Sequence, residues 1–166
     1  MKNKEDGVAI IDASTRNAFA GLIGKSCCRQ RVGRGRSLSI GFGEKIPHSK
    51  PKAVDSFYGE WEIGTYVSAW RIVRNNQILC GSLNVVDSIE ELDEQLQSVR
   101  LGAVVDIDTI SPFDIRVKLD NGVCIDFICV SNEDDEMFHI FGPDNAYIEY
   151  KNTAVWQTGK SNTPWG

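Results

Sequence analysis

The chain has no apolar run long enough to cross a membrane. Its hydrophobic stretches are broken by charge every few residues, whereas a spanning helix needs about 20 apolar residues. The amino terminus, Met1-Lys2-Asn3-Lys4-Glu5-Asp6, carries both signs of charge and leads only into Val8–Ile11. That stretch is too short for the apolar region of a signal peptide, and no small-residue cleavage site follows it, so a cytoplasmic protein is expected. Cys-x-x-Cys spacing is also missing. The five cysteines (Cys27, Cys28, Cys80, Cys124, Cys129) are odd in number and two are adjacent, which argues against a disulfide framework and a zinc site. They read as reduced, mostly buried thiols. Histidine is scarce: His48 falls in a loop and His139 in mid-strand, so Cys27-Cys28 lacks the oriented base that nucleophilic catalysis requires. The expectation is a protein without enzymatic activity, cofactor or metal.

What is present suits one compact domain. The 166 residues are 42% hydrophobic and 25% charged, enough to build a core without staples. The net charge of −5 conceals an asymmetry: residues 1–83 hold 13 Lys/Arg against 7 Asp/Glu, and residues 84–166 hold 5 against 16. A split of this size suggests two unlike surfaces, the acidic one attracting a basic protein and repelling nucleic acid.

Segments of the two halves match in pattern. Leu22-Ile23-Gly24 resembles Arg100-Leu101-Gly102, and Leu38–Phe42 resembles Ile115–Leu119. At one offset of 77 residues, Trp61-Glu62-Ile63 falls on Phe138-His139-Ile140, Ser68-Ala69-Trp70 on Asn145-Ala146-Tyr147, and Asn75 on Asn152. The fold class predicted is therefore α+β: two tandem helix-plus-antiparallel-sheet repeats packed as one compact domain. The first repeat covers residues 1–83, the second 84–160, and 161–166 form a frayed tail.

Helices are predicted over Ala13–Ile23, capped by Asp12 or Ser14, and over Ile89–Val99, capped by Asp87 or Ser88. In the second, Ile89, Leu92, Leu96 and Val99 make an apolar stripe, and Glu90, Glu91 and Asp93 favour the helix start. Alternation with period two predicts strands through the rest. Asp120-Asn121-Gly122 is the strongest hairpin signal, and Asn75-Asn76 a weaker one. Gly43–Gly59, with Pro47 and Pro51, reads as a long exposed loop, and Asn132–Glu136 as an acidic one.

Arg29-Gln30-Arg31-Val32-Gly33-Arg34-Gly35-Arg36 has phosphate-cradle glycines but is flanked by strands where a P-loop needs a helix. With Lys25 and Lys45 it supplies the alternative reading, a nucleic-acid-binding protein using residues 25–36. Phe42 is the one aromatic nearby to stack on bases. Asp106, Asp108, Asp114, Asp120 and Asp126 lack the His or third ligand type of a transition-metal site. They serve better as recognition charges. The predicted partner surface comprises Asp106, Asp108, Asp126, Glu133, Asp134, Asp135 and Glu136, with Tyr147 and Trp156 as anchors. Tyr150, Phe113 and Trp165 are further aromatic candidates, whereas Trp61 and Trp70 read as core.

The ordering of a helix ending in Leu22-Ile23-Gly24, an alternating strand, Gly59-Glu60-Trp61-Glu62-Ile63, Ser68-Ala69-Trp70-Arg71-Ile72 and a second degenerate round resembles small bacterial immunity proteins of contact-dependent growth inhibition and related polymorphic toxin systems. The resemblance covers roughly residues 18–157 and lies in pattern and size. It implies a cytoplasmic, non-catalytic protein that neutralises one cognate toxin, in many systems a basic nuclease, and it assigns no site residues.

Overall fold

The computed structural model describes residues 11–49, 54–151 and 155–161. The fold is mixed, with two antiparallel sheets and few helices, and sheet dominates it. Asp12 caps α1 (Ala13–Ala18) by accepting the Thr15 N–H at 2.8 Å. The predicted helix breaks at Phe19, where φ is −106°, and continues as a 3-10 turn over Ala20–Leu22. The break turns both Phe19 and Leu22 into the core. In α2 (Ile89–Gln97), Ser88 accepts the Glu91 N–H at 3.1 Å, and Leu92 and Leu96 are fully buried.

In chain order the strands are β1 (Cys27–Val32), β2 (Leu38–Pro47), β3 (Phe57–Thr65), β4 (Ala69–Arg74), β5 (Gln77–Gly81), β6 (Val104–Thr109), β7 (Ile115–Leu119), β8 (Cys124–Ile128), β9 (Glu136–Phe141), β10 (Ala146–Lys151) and β11 (Val155–Lys160). One sheet runs β1-β2-β3-β9-β10-β11, the other β5-β4-β8-β7-β6. Their inner faces meet over Ile40, Ile63, Phe138 and Ile140 on one side and Ile72, Val117, Ile125 and Phe127 on the other, all buried. Phe127 and Phe138 touch across the layers at 4.7 Å. Each such side chain contributes about 1.5–3 kcal/mol. Trp61 and Trp70 are core residues, as expected, and the Trp70 indole donates to the Arg36 carbonyl at 2.9 Å.

Three local expectations need correction. Much of the predicted loop at Gly43–Gly59 is strand, because a bulge beyond Phe42 lets the ladder resume at Lys45↔Gly59 and run to Pro47↔Phe57; residues 50–53 lie outside the described set. At Asp120-Asn121-Gly122 Gly122 alone takes a positive φ, closing a three-residue loop, whereas Asn75 and Asn76, at 51° and 62°, form the two-residue hairpin turn. Glu136 opens β9 and is not a loop residue. Beyond Ser161 the expected frayed tail, including Trp165, lies outside the described residues.

The same ladder is laid down twice. Arg29, Gln30, Arg31 and Val32 pair with Gly41, Ile40, Ser39 and Leu38. Asp106, Ile107, Asp108 and Thr109 pair with Lys118, Val117, Arg116 and Ile115, each 77 positions further on. The bulge recurs too, between Cys27 and Arg29 and between Val104 and Asp106. At the centre, Ser26 bridges Ala103. Around them Cys27 N donates to Gly102 O at 3.2 Å and Val104 N to Lys25 O at 3.0 Å; Gly43 N donates to Ser26 O at 2.8 Å and Asp120 N to Ala103 O at 2.9 Å.

Past β2 and β7 the spacing shortens, since the β7–β8 turn is tighter than the β2–β3 connection. The pairing Ile72↔Cys80 and Arg71↔Gly81 then recurs as Ile140↔Ile148 and His139↔Glu149. So β4 and β5 share this pairing with β9 and β10, and each pair joins the sheet that holds the ladder of the other half of the chain. Trp61–Ile63 and Phe138–Ile140, matched in the sequence, therefore lie on adjacent strands, with Ile63 paired to Ile140.

Candidate functional site

The predicted partner residues do not form one surface. Asp108, Arg116, Asp126 and Arg71 make a transverse row across the outer face of the five-stranded sheet. Asp126, expected on a docking surface, is fully buried. Its carboxylate accepts from Arg71 Nε at 2.8 Å and from Arg116 Nε and Nη2 at 2.7 and 2.9 Å. Burial pushes this carboxyl up, but the Arg116 and Arg71 guanidinia outweigh burial and hold it below the usual carboxylate range. Asp106 and Asp108 are half-exposed and lie 3.5 and 3.7 Å from Arg16. Part of the sequence's charge asymmetry is thus cancelled within the fold, where exchange of strands between halves sets Arg71 beside Asp126.

Glu136 and Tyr147 belong to the other sheet's outer face. Glu136 bonds His139, and Tyr147 Oη donates to Glu136 Oε2 at 2.5 Å. Glu149 Oε2 stands 3.1 Å from the same hydroxyl. One phenolic hydrogen cannot serve two carboxylates, and burial, reinforced by the Glu136 charge, raises the Glu149 carboxyl above its ordinary range. When Glu149 is protonated it can donate to the Tyr147 oxygen, leaving the phenolic hydrogen to Glu136. A group raised in this way contributes stability below its unfolded value and loses it as pH rises through the folded one. Glu149→Gln is therefore expected to match the parent at pH 4 and to gain about 1 kcal/mol at pH 7, roughly 2–4 °C in melting midpoint. Thermal melts at the two pH values check this; an equal effect at both would show that the proton is not held. Trp156 packs inward against Tyr150 at 4.8 Å, so neither is a docking anchor.

The basic segment is occupied internally as well. Arg29 bonds Asp55 at 2.9 Å and Glu62 at 3.2 Å, and Arg31 bonds Asp55 at 2.8 Å and Asp93 at 2.6 Å. Lys25 pairs with Glu60 at 2.9 Å, and Arg36 donates to the Ser82 and Asn84 carbonyls. An open groove beside it, lined by Cys27, Cys28, Arg100 and Leu101, offers no activated thiol: burial pushes Cys27 up to about 11. Of the five thiols, only Cys80 is fully buried and the others are half-buried. Among the described residues, no group of three or more His, Cys, Asp or Glu is placed to hold a metal ion.

Glu133, Asp134 and Asp135 remain exposed, in the loop joining β8 to β9. That loop springs from the rim of a groove that sequence reasoning did not find. Ile78, Leu83, Ile128 and Val130 wall about 330 Å³ over a floor that includes Gly81 and Ala69. Exposure is 58% at Ile78, 81% at Leu83 and 70% at Val130, where an apolar cluster calls for explanation. The β-bulge between Ile72 and Val73 creates it. Cys80 pairs with Ile72 and points into the core, while the extra residue sets Ile78 opposite Val73, on the outer face. Strict alternation would have placed Ile78 and Cys80 together. Opposite Arg71, Gly81 has no side chain to fill the groove.

No helix among the described residues is long and apolar enough to cross a membrane. No family model matches the chain, and neither a curated protein nor a solved structure does.

Proposed function

We propose that this chain is a non-catalytic binding protein that docks one basic protein partner over the Ile78–Leu83–Ile128–Val130 groove. The role is that of a cytoplasmic immunity protein neutralising a nuclease-type toxin domain. The observation that carries the reading is an exposed apolar groove whose wall residue Val130 leads, three positions on in the same loop, to the consecutive exposed acidic residues Glu133, Asp134 and Asp135. Specific interfaces combine an apolar centre with a charged rim. Carboxylates at the rim steer a cationic partner and set its orientation. The nucleic-acid reading has less support, since Lys25, Arg29 and Arg31 already face carboxylates; no salt-dependent retention on single-stranded RNA is expected.

The test is co-expression with a toxin domain encoded beside this chain, scored by cell survival and by affinity of the purified pair. Asp134→Lys with Asp135→Lys is expected to slow association about tenfold at low salt, the difference fading as ionic strength rises. An unchanged association rate would remove the acidic rim from the mechanism. We further read the twice-laid ladder as two copies of one ancestral unit, consistent with registers and bulges that recur 77 residues apart.

A further inference from the structure

Helix α2 packs against β1 of the opposite half, α1 reaches β6 of the opposite half through Arg16, and the two contacts are opposite in charge. From the second half, Asp93 of α2 accepts the Val32 N–H at 2.8 Å and pairs with Arg31 at 2.6 Å, while Gln97 donates to the Gln30 carbonyl. From the first half, Arg16 of α1 reaches β6, where it lies 3.5 Å from Asp106, 3.7 Å from Asp108 and 3.5 Å from the Ile107 carbonyl. Arg29 and Arg31 hold the register positions that Asp106 and Asp108 hold in the other ladder. Gln30 and Ile107 are likewise equivalent, and each has its outward carbonyl covered by the opposite helix. The placement recurs with the signs exchanged, the Arg16 contacts being the longer.

We infer that the two halves are interlocking units, each of whose partner is the other half, and that these inverted contacts fix that choice. Two first halves brought together would set Arg16 against Arg29 and Arg31. Two second halves would set Asp93 against Asp106 and Asp108. Like pairing thus forfeits the attraction at both corners and meets repulsion at the acidic one, since Asp55 and Glu62 already offset Arg29 and Arg31 within the first half; unlike pairing is attracted at both, a discrimination built from repulsion as well as attraction. The exchange of strand pairs makes the choice consequential: β4 and β5 complete the sheet of β6, β7 and β8, and β9 and β10 complete that of β1, β2 and β3. The inference rests on the reading of the chain as two copies of one unit and is independent of the toxin reading.

The test uses the full chain with a protease site placed at Val85, which is fully exposed between β5 and α2, and cleaved after folding. The cut protein is expected to elute as a single species of the intact 18.4 kDa mass. After denaturation and dilution it should return as a one-to-one complex, with neither half alone forming a homodimer at the same concentration. Separation of the halves on cutting, or homodimers of either, would overturn the inference. Arg16→Asp in the first half is expected to weaken reassembly about tenfold at low salt, and Asp106→Arg in the second half to restore it. Reassembly indifferent to both changes would remove the charge code while leaving the two-unit reading standing, whereas loss of all reassembly would count against that reading itself. Docking of a toxin is measured on the uncut chain, so its outcome stands apart.

Discussion

Replacing Leu83 and Val130 together by serine is expected to abolish protection against a cognate toxin and to weaken binding about 100-fold, with the fold intact. Both side chains are mostly exposed, 81% and 70%, so their loss opens no cavity in the core and the melting midpoint should stay within the small range of surface changes, about ±0.5 kcal/mol. A covered Leu or Val side chain contributes about 1.5–3 kcal/mol, and part of that is lost to imperfect packing at an interface. Two such residues together supply roughly 3 kcal/mol, about a hundredfold in affinity. Serine is the informative replacement, because glutamate would offer a basic partner a new attraction and blur the result. The effect should exceed that of the Asp134→Lys, Asp135→Lys pair, whose charges act at the rim through the encounter rate and are screened by salt. Survival and affinity unchanged in the serine variant, alongside an unchanged melt, would take the groove out of the proposed function.

The contrast between groove and acidic row shows where sequence pattern was informative. Ile115, Val117 and Leu119 alternate with polar residues, and all three are buried, since the period of a strand is local and survives any arrangement of neighbours. Ser88 and the Leu92–Leu96 stripe set the second helix for the same reason: capping and periodicity act within a few residues. Asp126 shows the limit. Its partners, Arg71 and Arg116, come from strands on either side of it, and Arg71 belongs to the first half of the chain. Nothing local in Ile125-Asp126-Phe127 distinguishes a solvated carboxylate from a neutralised one. Ile78 shows another limit, because one inserted residue at a bulge reverses the face of everything beyond it. The 77-residue offset read from the sequence recurs in the strand registers only between residues 26–43 and 103–120; beyond them a shorter hairpin changes the spacing and the strands cross between sheets.

Asp126→Ala is the substitution expected to cost the fold most among the charged residues of that row. The carboxylate is fully buried between two guanidinia whose side chains are 41% and 29% exposed. Its removal leaves Arg71 and Arg116 adjacent, with like charges and three unpaired donors. Breaking a buried ion pair from one side costs about 3–5 kcal/mol. The arginines' access to water favours the low end, about 3 kcal/mol, or a midpoint fall of roughly 6–12 °C for a domain of this size. Asp126→Asn keeps the shape and one acceptor but loses the charge, and should fall between parent and alanine. Acid provides the internal control. A carboxyl held below its ordinary range contributes stability above its unfolded value, about 3.9, and loses it as pH falls through the lower folded one. The gap between parent and alanine variant should therefore be full at pH 7, persist to about pH 5, and narrow as the parent is titrated below pH 4. A gap constant down to pH 2 would mean that packing, not the ion network, sets the cost. A variant as stable as the parent at pH 7 would mean that Arg71 and Arg116 turn to water at no expense, and that Asp126 is held in the sheet by its neighbours without holding them.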